Sequence, residues 1–228
     1  MNFVYLCRDG DNEELRYSIR SVYEHIESPN IWVIGGKPAW YLGNYLHVAQ
    51  DKTKYENVRN NTRTLLESEE IPENIVLMND DFFIMQDLQE IPVIHGGVLR
   101  NKIDRYKKIV GTSKYTQILI KTDRELKKQG IEKPIDYEMH VPMPIVRSKL
   151  KTYPEFAMRT MYGNLNSIGG TEIKDVKVYN AESIEKGAAS HDYMNSNSPF
   201  ISSSDASFKE LYFGILKNSL NKKSPIER

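Results

Sequence analysis

The first part of the chain alternates between short apolar runs and amphipathic segments, and this alternation constrains the fold most strongly. Apolar runs occupy residues 3–7, 31–34 and 74–78, with the length and composition typical of buried parallel strands. Between these runs, apolar residues recur at helical spacing over 11–26 and about 56–69. The order strand, helix, strand predicts an α/β domain with a mostly parallel central sheet and right-handed crossovers.

The second half of the chain is less regular. Its patterns predict a broken strand over 91–99, a helix over 114–129, a short helix over 148–153, a strand over 175–179 and a last helix over 206–217. Neither an internal repeat nor a low-complexity linker interrupts the chain. We therefore predict a single domain with two lobes, divided near residue 90, and a frayed polar tail over 221–228.

Charge and cysteine content narrow the classes of protein and compartment. Lys and Arg together number 31, as do Asp and Glu, so the net charge of zero gives no global field for gathering nucleic acid or anionic membrane. Cys7 is the one cysteine, which excludes an intrachain disulfide and a multi-cysteine zinc site. The apolar runs are too short for a signal peptide or a membrane span. We expect a cytoplasmic protein.

Polar residues follow each of the three predicted strands. These are Arg8-Asp9-Gly10, Gly35-Gly36-Lys37 and Asn79-Asp80-Asp81, and ligands of open α/β sheets bind at this edge. Adjacent carboxylates suit Mg²⁺ or Mn²⁺, with the phosphates of a ligand completing the coordination. The structural alternative is that one aspartate caps a turn while the other faces water. The glycine-rich GxGxxG and GxxxxGK[ST] phosphate motifs do not occur.

Four blocks of the sequence resemble the Stealth proteins, which are sugar-phosphate transferases related to GT-A glycosyltransferases. VLMNDDFF at residues 76–83 is similar to their YLNDDFF block, and VYLCRDG at 4–10 to their VYLWVDG block. NEELRYSIRSV at 12–22 resembles their NELRYSLRS block, and HVPMP at 140–144 resembles an HxPxP-like segment. Small chains of this kind also resemble phage-encoded glycosyltransferases, some of which modify hydroxymethylated bases of DNA.

The resemblance implies a GT-A-like fold and a nucleotide-sugar donor. Residues of about 1–90 would form the donor half, and about 91–220 the acceptor half. Asp81 would bind Mn²⁺ or Mg²⁺ directly, with Asp80 helping through the metal or the sugar hydroxyls, and Asp9 would contact the nucleoside. We expect a metal-dependent glycosyltransferase that moves a sugar from a nucleotide-sugar, such as a UDP-sugar, to an acceptor hydroxyl of a glycan or of a modified nucleic acid base.

Two helix segments supply further candidates for donor binding. Arg16 lies on a helical face from which a guanidinium can reach phosphate, although it can equally pair with Glu13. Lys54, Asn57 and Asn60 open the second predicted helix. Helix N-termini favour anions, while simple capping of that helix is the alternative.

Three residues are candidates for deprotonating an acceptor hydroxyl. Glu138 and His140 are two apart and share a face of an extended segment. Asp205 follows three serines, a pattern that also fits a helix N-cap. A packed histidine is the alternative for His140.

Three other functions stay open. One is Stealth-type transfer of hexose-1-phosphate, and another is a noncatalytic module that binds nucleotide or glycan. The last is transfer to hydroxymethylated bases of phage DNA, which would use a local basic groove. The densest basic cluster consists of Lys102, Arg105, Lys107 and Lys108.

Overall fold

The computed structural model describes residues 1–153, 155–178, 198–211 and 215–228. The chain divides into two compact units, each of which is built from separate stretches of sequence. Unit 1 comprises Met1–Ile91, His140–Arg147 and Val176–Arg228, and unit 2 comprises Pro92–Met139 and Ser148–Asp175. The first boundary falls near residue 90, and the chain returns to unit 1 twice, so that 140–147 and 176–228 group with 1–91.

Unit 1 is built on a sheet whose described strands run in the order β3-β2-β1-β4-β7. The strands are β1 (Asn2–Cys7), β2 (Asn30–Gly35), β3 (Asn44–His47), β4 (Asn74–Met78) and β7 (Met143–Val146). The first four run parallel, and β7 runs antiparallel beside β4. Phe3, Val4 and Tyr5 are buried, as continuous apolar runs of parallel strands require. The predicted α/β class and mostly parallel sheet are confirmed.

Unit 1 also contains helices α1 (Glu13–His25) and α2 (Lys54–Glu67), with short strands β5 (Phe82–Ile84) and β9 (Phe200–Ser202) pairing antiparallel. The Asn12 side chain caps α1 by accepting the Leu15 N–H at 3.1 Å. The spacing of Asp11 and Glu14 also fits a capping box, but the cap is Asn12, and the Glu14 carboxylate accepts a hydrogen bond from Ser203 instead. Tyr17 of α1 packs in a buried cluster with Phe83 and Ile201.

The carboxyl-terminal stretch differs from its prediction in two ways. The expected helix over 206–217 is represented by α6 (Phe208–Leu211) and α7 (Lys217–Ser219), with 212–214 outside the described residues. The tail is not frayed, because the buried Glu227 carboxylate pairs with the Arg20 guanidinium at 2.7 Å. The Arg228 N–H donates to the Trp40 carbonyl at 2.8 Å. A polar tail is held here by one buried ion pair and by backbone hydrogen bonds.

Unit 2 contains α3 (Leu99–Val110), α4 (Lys114–Lys128), α5 (Met158–Leu165) and the parallel pair β6 (Ile94–His95) and β8 (Thr171–Glu172). Leu99 and Ile103 of α3 pack with Leu119 of α4. The predicted strand over 91–99 is reduced to β6, and the helix over 148–153 is only a 3-10 turn at Arg147–Lys149.

Helices α3 and α5 were not predicted, because neither carries a start signal. Their N-caps, Val98 and Ala157, make no side-chain capping bond. In addition, Gly163 interrupts the apolar pattern of α5. A larger residue does not fit there, because its Cβ would overlap the Tyr137 ring. No helix in the described stretches is long and apolar enough to cross a membrane.

Candidate functional site

The turn between β4 and β5 carries Asp80, whose side chain is 24% exposed. The Asn12 amide donates to Asp80 Oδ2 at 2.8 Å, so the residue that caps α1 also holds this carboxylate. Arg8 Nε lies 3.9 Å from the same oxygen. Burial raises the pKa of Asp80, and the neighbouring charge of Asp81 raises it further, while Asn12 and Arg8 act in the opposite direction. The end of β4 therefore concentrates negative charge that the chain only partly compensates.

Only one oxygen of the Asp81 carboxylate has partners among the described residues. Lys177 Nζ lies 2.7 Å from Asp81 Oδ2, and the Ser202 hydroxyl donates to that oxygen at 3.4 Å. The other oxygen, Oδ1, is buried and has no hydrogen-bond partner among the described residues. A buried acceptor without a partner costs free energy in a folded protein. Such an atom is therefore a candidate for contact with a ligand.

The donor set at this turn fits a divalent cation that is shared with a bound phosphate. Asp80 and Asp81 supply hard carboxylate oxygens, which Mg²⁺ and Mn²⁺ prefer. No group of three or more His, Cys, Asp and Glu side chains in the described residues is arranged to hold a metal by itself. Magnesium-type sites commonly use one or two carboxylates and take their other ligands from water and substrate phosphates. Asp81 Oδ1, which has no hydrogen-bond partner among the described residues, can serve as such a ligand.

Glu14, in the first turn of α1, is a further carboxylate near this turn. It is buried, accepts a hydrogen bond from the Ser203 hydroxyl at 2.9 Å, and lies 3.8 Å from Arg8 Nη2. Burial raises the pKa of Glu14 to about 6, to which the charges of Asp80, Asp81 and Asp205 contribute, although the Ser203 bond lowers it. Glu14 therefore changes protonation close to neutral pH.

A pocket of about 210 Å³ opens at this end of unit 1. Its lining consists of Arg8, Asn12, Glu13, Glu14, Asp205 and Phe208. The Arg8 guanidinium is 63% exposed and lies 3.7 Å or more from the carboxylates of Glu14, Asp80 and Asp205. Because none of these is a close contact, the guanidinium is available to an incoming anion. Asp205 lies in this pocket, 84% exposed. The turn that follows it is stabilised instead by Ser204, whose hydroxyl accepts the Ser207 N–H.

Two of the predicted donor residues have different surroundings. Asp9 is exposed at the end of β1, and a Cβ on Gly36 would lie 2.4 Å from its Oδ1, so glycine permits this close approach. Arg16 pairs with Glu13 at 2.7 Å and lies over the Trp40 ring at 4.8 Å. These contacts fit the alternative in which Arg16 pairs with Glu13 on the surface of α1.

The start of α2 is capped by its own residues. Thr53 and Glu56 form a reciprocal capping box, and Asn57 bonds to the N–H and the carbonyl of Lys52. Lys54 is exposed and Asn60 is half-buried. The structure therefore places Lys54, Asn57 and Asn60 in a self-capped helix start, which is the capping alternative.

Glu138 of unit 2 does not have the surroundings of a general base. Its Oε1 accepts the backbone N–H groups of Arg159 at 2.9 Å and Thr160 at 3.2 Å, at the start of α5. A carboxylate in this position satisfies helix donors and interacts favourably with the macrodipole. These contacts favour a capping role for Glu138, and its catalytic role stays a prediction. His140 belongs to unit 1, where its ring meets Phe82 edge to face at 6.3 Å between centroids.

Lys102 does not belong to a basic groove. Its side chain is buried, its ammonium lies 3.0 Å from Asp136 Oδ2, and it also donates to the Glu138 carbonyl. A continuous solvated cluster of four cations, as the sequence suggested, is therefore wrong. Arg105, Lys107 and Lys108 remain exposed.

Five residues of the site were not predicted as functional: Asn12, Glu14, Lys177, Ser202 and Ser203. Asn12 and Glu14 directly follow the first strand, so the rule that located Asp9 extends to them. Lys177 alternates with the buried Val176 and Val178, and this pattern places a cation on the opposite face of an extended segment. Ser203 gives no comparable signal, because its role depends on the pairing of β9 with β5.

Comparison with known proteins gives only distant structural matches. No protein-family model matches the chain, and no curated protein sequence matches it. The resemblance to the Stealth proteins therefore remains one of short blocks. Among solved structures, the chain is similar to the apo-form glycosyltransferase GlyE of Streptococcus pneumoniae, with 8% identity and a TM-score of 0.41, covering 96% of this chain. It spans 62% of the length of GlyE.

A second match is the galactosyltransferase LgtC in complex with donor and acceptor sugar analogues. Identity is 10% and the TM-score 0.40, with 100% of this chain and 85% of LgtC covered. At such TM-scores the fold and the site described above rest on the structure of this chain alone.

Proposed function

We propose that this chain is a metal-dependent glycosyltransferase that uses a nucleotide-sugar donor. The observation that carries the proposal is the buried Oδ1 of Asp81, which has no hydrogen-bond partner among the described residues and lies beside the second carboxylate of Asp80 at the end of β4. The NDDFF block at residues 79–83, which resembles that of the Stealth proteins, contains both carboxylates. A diphosphate and a divalent cation together supply what this pair lacks, namely positive charge and further oxygen ligands.

Two cations of unit 1 are suited to bind the donor diphosphate. Arg8 is exposed and lies 3.7 Å or more from each carboxylate that it faces in the described part of the chain, so its guanidinium can form a bidentate contact with phosphate. Lys177 lies on the Oδ2 side of Asp81. With a divalent cation held by Asp81, the Lys177 ammonium would be less strongly attracted to the carboxylate and could contact a phosphate oxygen.

Asp81 would hold the divalent cation directly, with Asp80 beside it. A cation so held supplies Lewis acidity that stabilises the negative charge of the leaving diphosphate. Asn12 keeps Asp80 in place through a 2.8 Å hydrogen bond, and Ser202 does so for Asp81. These residues fix the carboxylates before the donor arrives, so that little reorganisation is needed on binding.

Glu14 replaces Glu138 as the residue proposed to accept the proton of the acceptor hydroxyl. A useful general base has a pKa near the working pH, and the raised pKa of Glu14, about 6, meets that requirement. Glu14 also lines the pocket with Arg8 and Asp205. Asp205 is the second candidate, because it lies in the same pocket and its carboxylate is exposed.

The decisive experiment is a thermal-shift series with UDP, GDP, CDP and their sugar conjugates, each with Mn²⁺ and with EDTA. A ligand that binds only the folded protein raises the melting temperature by mass action. We expect a Mn²⁺-dependent shift with one nucleotide, which Asp81→Asn abolishes. Asp104→Asn is the matched control, because Asp104 is an exposed aspartate that pairs with Arg100 on α3.

Each outcome has a distinct meaning. If none of the nucleotides raises the melting temperature, or if Asp81→Asn keeps the shift, the proposed donor site is overturned. A shift without release of product under any metal supports the noncatalytic binding module. If transfer occurs, release of the nucleoside diphosphate supports sugar transfer, whereas release of the monophosphate supports the Stealth-type transfer of hexose-1-phosphate.

A further inference from the structure

The apolar stripe of α3 extends beyond the core that covers it. Leu99 and Ile103 are fully buried, and the Tyr106 ring meets Tyr115 of α4 edge to face at 5.4 Å. Val110 continues this stripe at helical spacing, yet it is 53% exposed, and its neighbour Ile109 is 72% exposed. Two large aliphatic side chains are therefore exposed to solvent at the end of the helix.

Cations surround this end of α3. Arg105, Lys107 and Lys108 are exposed, and none of them forms an ion pair with any carboxylate in the described residues. Arg100, one helical turn and more away, is by contrast placed against Asp104 and Asp123. The tip of α3, defined as residues 105–110, thus combines uncompensated positive charge with exposed apolar surface.

The zero net charge of the chain conceals an asymmetry between its units. Unit 2 contains 15 Lys and Arg against 9 Asp and Glu, a net charge of +6, so that the remainder carries −6. The basic surface therefore belongs to the unit that does not contain the Asp80 and Asp81 turn. A local field of this sign attracts anionic partners to unit 2.

We infer that the tip of α3 docks unit 2 on an anionic lipid surface. Lys and Arg near a bilayer are attracted by its negative surface potential, and aliphatic side chains gain by entering the headgroup boundary. Both properties are present here within residues 105–110. A tyrosine pair stands behind them, with Tyr106 and Tyr115 half-buried, and aromatic side chains of this kind favour membrane interfaces.

Two other partners fit the tip of α3 less well. A second copy of this chain, docked through the same face, would bring uncompensated cations against one another. Nucleic acid would satisfy the cations through its phosphates, but it would leave Ile109 and Val110 without an apolar partner. An anionic bilayer satisfies both the charge and the apolar side chains.

The test is co-sedimentation of the full chain with vesicles of phosphatidylcholine alone, or of phosphatidylcholine mixed with phosphatidylglycerol. We expect binding only to the mixed vesicles, with release at high salt. Lys107→Glu with Lys108→Glu should weaken it by about fivefold for each residue. Ile109→Ser with Val110→Ser should weaken it by about tenfold through loss of apolar burial.

Matched variants separate the tip of α3 from general charge and hydrophobicity. Lys128→Glu with Lys133→Glu makes the same change of net charge at exposed positions away from the tip, and Leu42→Ser removes an aliphatic side chain that is also 53% exposed. These controls should weaken vesicle binding much less than the tip variants do. The inference is overturned by equal binding to both vesicles, by no binding, by equal effects of control and tip variants, or by binding of duplex DNA that excludes vesicles. None of these outcomes depends on the donor site.

Discussion

Asp81 of unit 1 and Asp136 of unit 2 are both largely buried carboxylates paired with a lysine, but only one of them is fully satisfied. Lys102 contacts both oxygens of Asp136, at 3.2 and 3.0 Å, and the Glu138 N–H donates to Oδ1 at 3.0 Å. Asp81 has Lys177 and Ser202 on Oδ2, while its buried Oδ1 has no partner in the described residues. A buried carboxylate whose oxygens are all bonded within the chain has a structural role. A buried carboxylate oxygen without such a bond is a candidate for binding a ligand.

Spare capacity alone is not sufficient for this conclusion. Asp123 Oδ1 is also buried, and it too has no hydrogen-bond partner within the described stretches. Asp123, however, lies within α4 between the cations of Arg100 and Lys127, at 3.9 and 3.0 Å. Asp81 is distinguished by the adjacent carboxylate of Asp80 and by its position at the end of a parallel strand, where α/β sheets bind ligands.

The largest expected effect is on the free energy of unfolding and concerns Asp136, the carboxylate that is fully bonded. Lys102→Met leaves the buried Asp136 carboxylate without its cation, and we expect it to lower the free energy of unfolding by about 3–5 kcal/mol. Urea denaturation measures this loss. Lys102→Met combined with Asp136→Leu should recover most of it, since neither charge is then stranded. A single variant as stable as the wild type would contradict the structural role.

The second prediction concerns the pH dependence of unit 1. Because the pKa of Glu14 is raised to about 6, the folded protein holds this proton more tightly than the unfolded chain does. The resulting stabilisation is present below the ordinary pKa and is lost as the pH rises through 6. Glu14→Gln should therefore gain stability relative to the wild type over this range, by at most about 2 kcal/mol at pH 7.

Thermal denaturation of both proteins between pH 4 and pH 7 checks this prediction. Glu13→Gln is the control, because Glu13 is a more exposed glutamate on the same helix. Parallel curves for the wild type and Glu14→Gln would show that Glu14 ionises normally, and would remove the reason for proposing it as a base.

Strands β1, β2 and β4 were predictable because each is largely an apolar run followed by a polar turn, whereas β3, with the sequence NYLH and exposed ends, was not predicted. The same rule located Asp80 and Asp81. The roles of Lys177 and Ser203 were not predictable, because both reach the site through pairings between segments more than 90 residues apart in sequence. The alternation of Lys177 with the buried Val176 and Val178 indicates a cation on one face, but no local pattern shows which carboxylate that cation contacts.

Unit 2 was predicted less well for a local reason. Helix α3 begins without a side-chain cap, and its inward face includes the buried Lys102, so that its apolar pattern is weak. The partner of Lys102, Asp136, lies in an irregular segment that contains no element signal. Glu138 was taken for a base because a carboxylate near a histidine fits either role, and only the N–H groups of α5 decide between them.

The third prediction tests the unsatisfied side of the comparison directly. Lys177 and a divalent cation compete for Asp81, so Lys177→Met should raise the affinity for Mn²⁺, by roughly tenfold for the removal of one close positive charge. The electron paramagnetic resonance signal of free Mn²⁺ measures this without any substrate. Lys174→Met removes the same charge three residues away and should leave the affinity unchanged. Equal affinities for the wild type and Lys177→Met would mean that the cation does not bind at Asp81.

The smallest expected effect separates a cap from a base at Glu138. Glutamine keeps an oxygen that can accept the N–H groups of Arg159 and Thr160, but it loses the charge that favours the N-terminus of α5. Glu138→Gln should therefore cost only about 0.5–1 kcal/mol of stability, while the Mn²⁺-dependent shift and any turnover persist. Glu138→Ala, which removes the acceptor as well, should cost more. Loss of turnover in Glu138→Gln with unchanged stability would restore the general base to unit 2, and spare capacity at Asp81 would then account for donor binding but not for proton transfer.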